Sequence, residues 1–243
     1  EWLKVRHERI MQFYKSDLLQ YVSRSISDTD LLEKLTELGL EVDQSKKEKN
    51  DLLIKLDLTP NRGDCFSLIG IARDVCAVNN LKLKLPKFKK QHQNLDSKKT
   101  VSVDKNACSS YLGQIIKLKN KGKTPQHIKK TLKAADIGQV NPIVDITNYV
   151  MLHTGQPLHA FDNKKIGKKI YVKFPSKRTK LKLLDGSSHE ITKDYLTISD
   201  EKGEIINLET DNLIIDFNSK GGIIENVYLK NYVNNKSEIV HLY

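Results

Sequence analysis

Residues 141–162, NPIVDITNYVMLHTGQPLHAFD, constrain the fold more than any other part of this chain. Asn141-Pro142 is a helix start. Asn accepts free N–H groups, and Pro at the first helical position lacks only an N–H that had no partner. Ile143, Ile146 and Val150 recur at helical spacing, and Gly155 stands where a left-handed terminal residue is wanted. Gln156-Pro157-Leu158-His159-Ala160-Phe161-Asp162 then sets an imidazole and a carboxylate within four residues of an apolar anchor, at a sharply turned strand start.

Upstream, Ser27-Asp28-Thr29-Asp30 reads as a capping box, Ser27 accepting from the N3 amide while Asp30 reaches back. Leu31, Leu35 and Leu38 form the buried stripe of that helix and Gly39 closes it. Leu53–Leu58 alternates as a strand and stops at Thr59-Pro60. Asp64 is placed to cap the next helix, whose inward face is Leu68, Ala72 and Val75. These pieces predict a small α/β unit over 11–81, with polar Gln44–Asn50 as a turn or loop and 82–100 as a basic linker.

A second unit is expected over 101–203. Val101–Val103 and Tyr111–Leu118 read as strands, and Lys119–Lys123 as a lysine-rich turn. Thr124-Pro125 begins a helix with Ile128, Leu132 and Ala135 on one face and Gly138 at its end. After the 141–155 helix, Lys169–Phe174, Lys180–Leu184, an Asp185-Gly186 turn and Tyr195–Ser199 predict an antiparallel sheet. The fold class is therefore α/β (α+β), with two units in series. Residues 204–243 read as an atypical β-hairpin tail, and 1–10 as a charged, upstream or tag-like segment.

The formal net charge of +11 is concentrated between Lys82 and Lys133, where fifteen lysines face two acids, Asp96 and Asp104. Such a band attracts phosphate backbones without reading sequence. Lys outnumbers Arg 35 to 6 and Arg is absent from the band, a bias that AT-rich coding also produces. Cys65, Cys76 and Cys108 show no metal-ligand spacing, and no His pair flanks a glutamate, so no metal site is expected. No apolar run reaches membrane-spanning length, and no signal peptide opens the chain, which predicts a cytoplasmic protein with reduced thiols.

Two stretches resemble signatures of the bacterial phenylalanyl-tRNA synthetase beta subunit. They are TPNRGDCFSLIGIARDVC at 59–76 and the 141–162 segment, which is similar to the B3/B4 region that carries the family's proofreading site. Residues 11–43 resemble the family's amino-terminal segment, and weaker similarity over 107–117, 124–138 and 181–200 extends the resemblance across roughly 11–200. It implies a partial B3/B4-type editing domain after the first unit. In most bacterial members an oligonucleotide-binding-type domain interrupts that first unit, whereas here Gln44–Asn50 alone fills the gap. The family's glycine-rich run and glutamate-bearing strand are not found past Gly203, so the chain is expected to be truncated. Residues 209–243 loosely resemble the opening of the periplasmic domain of the bacterial membrane-protein insertase; an ordinary Gly-Gly hairpin, a frameshift or a chimera are the alternatives.

The resemblance implies hydrolysis of tyrosine mis-esterified to tRNA(Phe). A second site that reads the tyrosine hydroxyl can discriminate by ~10⁴ or more, since phenylalanine would leave its polar groups unpaired. Thr147, Asn148 and His159 fall on editing-site positions, with Asn148 as oxyanion donor and His159 orienting a water or the terminal ribose. Pro157 and Ala160 would shape the pocket, and Lys117, Lys119, Lys121 and Lys123 would contact tRNA. Glu209 is a weak stand-in for the family's hydroxyl-reading glutamate. The resemblance further implies an alpha subunit as partner, with ATP and Mg²⁺ used by the holoenzyme and no cofactor or metal bound by this chain. Alternatives are a free-standing trans-editing hydrolase, or a non-enzymatic basic RNA-binding or assembly module.

Overall fold

A computed structural model of the chain describes residues 10–87, 99–118, 122–182, 188–191, 196–201, 213–218, 223–233 and 239–241. The fold is mixed α/β. Its chain segments alternate between two units: Glu1–Lys89 with Lys121–Leu158, and Lys90–Asn120 with His159–Tyr243. Residues 121–158 thus fall with the amino-terminal segment, across the boundaries expected from sequence.

The first unit contains β1 (Ile10–Tyr14), α1 (Lys15–Leu19), α2 (Asp28–Glu37), β2 (Glu41–Glu48), β3 (Asp51–Asp57) and α3 (Leu68–Val78), then α4 (Gln126–Ala134) and α5 (Pro142–Thr154). The antiparallel sheet runs β1-β3-β2. Strand alternation sends Leu52, Ile54 and Leu56 of the central strand inward with Met11 and Phe13. Leu31 and Leu35 of α2, Ile71 and Val75 of α3, Ile128 and Leu132 of α4 and Leu152 of α5 complete one cluster. At α2 the Ser27 hydroxyl accepts from the Asp30 N–H at 3.0 Å, and Gly39 takes a φ of 74°.

Three local expectations are corrected here. Gln44–Glu48 belongs to β2 rather than to a loop, and Lys49-Asn50 makes a two-residue turn into β3. An edge strand with exposed side chains needs no apolar alternation. Its backbone pairs with β3, and its charges discourage further strand addition. Residues 82–84 are not free linker, because Leu83 bridges Val22, and Lys84 N–H donates to the Tyr21 carbonyl at 2.7 Å. Ser67, not Asp64, caps α3, accepting from the Gly70 N–H at 3.1 Å.

In the second unit β4 (Thr100–Val103) pairs parallel with β5 (Lys169–Lys173), which pairs antiparallel with β8 (Thr197–Asp200). β6 (Thr179–Lys182) and β7 (Ser188–Ile191) form an antiparallel pair, and the expected Asp185-Gly186 turn lies outside the described residues. Tyr111–Leu118 is not a strand; Leu112 is 93% exposed and Ile116 71%. An apolar run without a pairing partner has no ladder to satisfy its backbone. Residues 156–168 are likewise irregular, and the next strand begins only at Lys169. In the tail, β9 (Leu213–Asn218), β10 (Ile223–Val233) and β11 (Ile239–His241) form a three-stranded antiparallel sheet of order β11-β10-β9. Residues 1–9, 88–98, Glu209 and Gly221-Gly222 lie outside the described residues.

Candidate functional site

Helix α5 forms as its sequence dictates. The Asn141 side chain accepts from the N–H groups of Ile143 and Val144 at 3.0 and 3.2 Å, and Gly155 ends the helix with a φ of 73°. Its buried face is a surprise of composition. Ile143 and Ile146 are 40% and 45% exposed, whereas Asp145 and Asn148 are 1% and 5% exposed. The helix therefore buries polar groups in register with Leu152 and leaves isoleucines outside. Asp145 is satisfied on both oxygens. Oδ2 accepts from the Thr124 hydroxyl and Oδ1 from the Val140 N–H at 3.0 Å, which fixes the α4–α5 loop to the first turn of α5.

Among the sequence-predicted residues, Thr147 donates its hydroxyl to the Val144 carbonyl at 2.8 Å and is half-buried. Asn148 is 5% exposed and forms no side-chain hydrogen bond with any described residue. Pro157 is half-buried. These three belong to the first unit, while His159 and Ala160 belong to the second.

Sequence reasoning missed the second polar feature of α5. His153 is buried, its Nδ1 lies 2.6 Å from the Tyr21 hydroxyl, and its ring sits 4.1 Å from that of Tyr149. Among the described residues its Nε2 has no hydrogen-bond partner. Burial, and then His127, pull its pKa down from 6.5 to about 4, while burial pushes the Tyr21 phenol up to about 12. A folded state that resists protonation keeps its stability above pH 6.5 and loses it as pH falls toward 4. We expect a loss of about 3 kcal/mol from this group between pH 7 and pH 4. Unfolding free energies from urea titration should fall by about 3 kcal/mol more for the wild type than for His153→Phe over that range; parallel curves would contradict it.

The TPNRGDC segment builds a polar knot instead of a reactive centre. Arg62 Nε and Nη2 donate to the two oxygens of Asp64 at 3.1 Å each, and Nη2 also meets Asp74 and, at 2.7 Å, Cys65 Sγ. Asp64, Cys65 and Asp74 bring three ligand-type atoms within 4.8 Å of one another, yet the guanidinium stands where a cation would sit. Arg62 holds the Asp64 carboxyl below its usual range. Burial pushes the Cys65 thiol up to about 12, so it is an inert, protonated thiol.

In the second unit His159 is exposed and Ala160 half-buried. The Tyr111 and Phe161 rings lie near-parallel to the imidazole, 16° and 5° from its plane, with centroids 6.5 and 6.3 Å away. Burial lowers the His159 pKa below its usual value. The Lys99 ammonium donates to the carbonyls of Asn163, Ile166 and Gly167 at 2.8 Å each, closing the turn that follows Phe161. Lys117 and Lys123 are exposed, and Lys119 and Lys121 lie outside the described residues. Among the described residues no helix is long and apolar enough to cross a membrane.

Residues 107–210 match the family described as the B3/4 domain. That match gives the class of sequence to which 107–210 is similar, within a chain of mixed α/β fold. The chain is a homologue of phenylalanine--tRNA ligase beta subunits. It is 39% identical over 181 residues to that of Photorhabdus laumondii, covering 69% of this chain and 23% of the relative. The Rhodopirellula baltica subunit is 35% identical over 192 residues, covering 77% of this chain and 28% of the relative. The Francisella tularensis subunit is 41% identical over 155 residues, covering 63% and 20%. The chain thus spans about a quarter of the length of the curated relatives it matches. A solved N-terminal fragment of the phenylalanyl-tRNA synthetase beta subunit from Pyrococcus horikoshii aligns at a TM-score of 0.42 and 20% identity, covering 96% of this chain and 66% of that one.

Proposed function

We propose that this chain is a beta-subunit component of a phenylalanine–tRNA ligase, and that its 107–210 region hydrolyses tyrosine wrongly attached to tRNA(Phe). The observation that carries this reading is the 35–41% identity to beta subunits over 155–192 residues. The alpha subunit is its partner, and phenylalanine activation with ATP and Mg²⁺ belongs to the complex.

The side chains support the hydrolytic part in two separate ways. Asn148 holds a nearly enclosed amide with no hydrogen bond to a described residue, and so breaks none in order to donate to an oxyanion. His159 offers an exposed imidazole, biased toward the neutral form, to orient a water or a ribose hydroxyl. Thr147 is tied to its own helix and serves as wall.

Incubating the purified chain with Tyr-tRNA(Phe) should release tyrosine, alone or with the alpha subunit. Asn148→Ala should lower the rate by ~10²-fold or more, the usual effect of losing one oxyanion donor. His159→Ala should lower it by ~10²-fold as well, within the range for a positioned acid–base group. If folded protein releases no tyrosine above the uncatalysed rate, the hydrolytic reading is wrong. If the chain also fails to co-purify with an alpha subunit, so is the ligase reading.

A further inference from the structure

Strand β5 sends its residues to two faces of the β4-β5-β8 sheet. Ile170 and Val172 are buried, whereas Lys169, Tyr171 and Lys173 alternate onto the opposite, more open face. Register carries that face across the sheet. Thr100 and Ser102 of β4 stand beside Lys169 and Tyr171, and Ser199 and Thr197 of β8 stand beside Tyr171 and Lys173. The face is thus a set of hydroxyl and ammonium groups around one ring.

The two lysines converge where like charges would be expected to splay. Their Cα atoms lie roughly 13 Å apart at the rise of an extended strand. Both Nζ atoms nevertheless sit over the Tyr171 ring, each 5.0 Å from its centroid, so the charges stand at most twice that distance apart. The ring attracts each ammonium, but their mutual repulsion remains. Neither lysine forms an ion pair with a described residue. The acids beside this face are engaged elsewhere. Asp104 Oδ1 accepts from the Asn106 N–H at 2.9 Å, and Glu201 lies against Gly167, where an added Cβ would stand 2.5 Å from its Oε1. The β8 hydroxyls differ in the same way. Thr197 Oγ1 donates to the Lys173 carbonyl at 2.7 Å, whereas Ser199, 5% exposed and directly opposite Tyr171, forms no hydrogen bond with a described residue. An enclosed hydroxyl without a partner, beside two converging cations without a counter-ion, is a donor set for an oxyanion.

We propose that Lys169, Lys173 and Ser199 bind a terminal phosphate, a phosphomonoester dianion, with Tyr171 as the positioning residue that gathers the two ammonium groups. A dianion matches the two charges, and its three terminal oxygens suit two ammonium donors and one hydroxyl. A phosphodiester or a carboxylate carries a single charge and would leave one ammonium uncompensated. The site uses none of Thr147, Asn148 and His159 and does not rest on the hydrolytic reading.

Methyl phosphate and dimethyl phosphate are titrated into the whole chain at about pH 8, where the monoester carries its second charge. The Tyr171 ring protons and the lysine ε-methylene signals are followed by NMR. Methyl phosphate should shift both saturably and bind at least ~10-fold more tightly than dimethyl phosphate. Lys169→Ser and Lys173→Ser should each weaken it by about 10- to 100-fold, the loss of one charged hydrogen bond, and Lys173→Arg should restore most of the affinity. Ser199→Ala should weaken it by about 3- to 10-fold, and Tyr171→Leu by about 2- to 5-fold as the ammonium groups separate. Equal affinity for the two esters, the absence of a saturable shift, or serine variants that bind as the wild type does would overturn the proposal. A tetra-uridylate with hydroxyl ends that displaces methyl phosphate at lower concentration would also overturn it, by assigning the face to a nucleic-acid backbone. Should Ser199→Ala or Tyr171→Leu fail to fold, the exposed Lys173→Ser decides alone. Tyrosine release is read separately, so this site and the hydrolytic reading stand or fail independently.

Discussion

Gly70→Ala is expected to abolish stable folding of the first unit, with a loss of at least ~4 kcal/mol, a size reached only by severe core disruption. The same substitution in an exposed helix would stabilise by ~1 kcal/mol. Here the sign reverses for steric reasons. A Cβ at Gly70 would stand 1.8 Å from the Asp64 carbonyl oxygen and 2.8 Å from its carbon, so backbone must move. The Ser67 hydroxyl bonds both sides of this crossing, donating to the Asp64 carbonyl at 3.0 Å and accepting from the Gly70 N–H at 3.1 Å. Moving either strand of chain therefore loosens the α3 cap too. Gly39→Ala is the useful comparison. Nothing lies within 4 Å of its Cβ position, and its φ of 74° should cost only ~1–2 kcal/mol. Urea unfolding of the two variants measures the contrast. Equal midpoints would show that Asp64 does not approach Gly70 as closely as described.

Arg62→Met should be the second most damaging change. The apolar replacement keeps much of the volume and removes the cation that joins Asp64, Asp74 and Cys65. Breaking a fully buried ion pair costs about 3–5 kcal/mol; with the Arg62 side chain 20% exposed and Asp64 41% exposed, about 2 kcal/mol is the expected loss. Arg62 Nη1 also donates to the Leu38 carbonyl at 3.4 Å, so the end of α2 should loosen with it. Denaturation midpoints and amide exchange at Leu38–Leu40 report both effects. Restoring stability with Asp64→Asn/Asp74→Asn in the Met background would identify the stranded carboxylates as the cause. A single variant as stable as the wild type would show that the knot contributes nothing.

Local chemistry made part of this fold readable. Ser27, Asn141, Gly39 and Gly155 mark helix ends because caps and left-handed residues depend on only a few neighbouring groups. The β3 alternation was readable because one face meets a core. β2 was not, since its side chains are mostly polar and exposed and only Val42 packs on the core, so no apolar alternation marks it. Tyr111–Leu118 misled in the opposite direction, being apolar without being paired. The isoleucines of α5 pointed to the wrong buried face, because the Thr124–Asp145 contact that seats the helix spans 21 residues. His153 has the same character: its partner Tyr21 is 132 residues away, a distance at which periodicity carries no information.

The alternating ownership of chain segments has a consequence for biosynthesis. The cluster around β3 includes Ile128, Leu132 and Leu152, so it remains incomplete until a ribosome has released residues well beyond the first 89. Synthesis passes through Lys90–Asn120, which belongs elsewhere, before the missing helices arrive. The nascent amino-terminal sheet must wait with an uncovered apolar face, and loop closure over that interval sets the pace of its completion. Ending the chain after Lys89 or Asn120 would strand that face permanently, because Ile128, Leu132 and Leu152 would never be made.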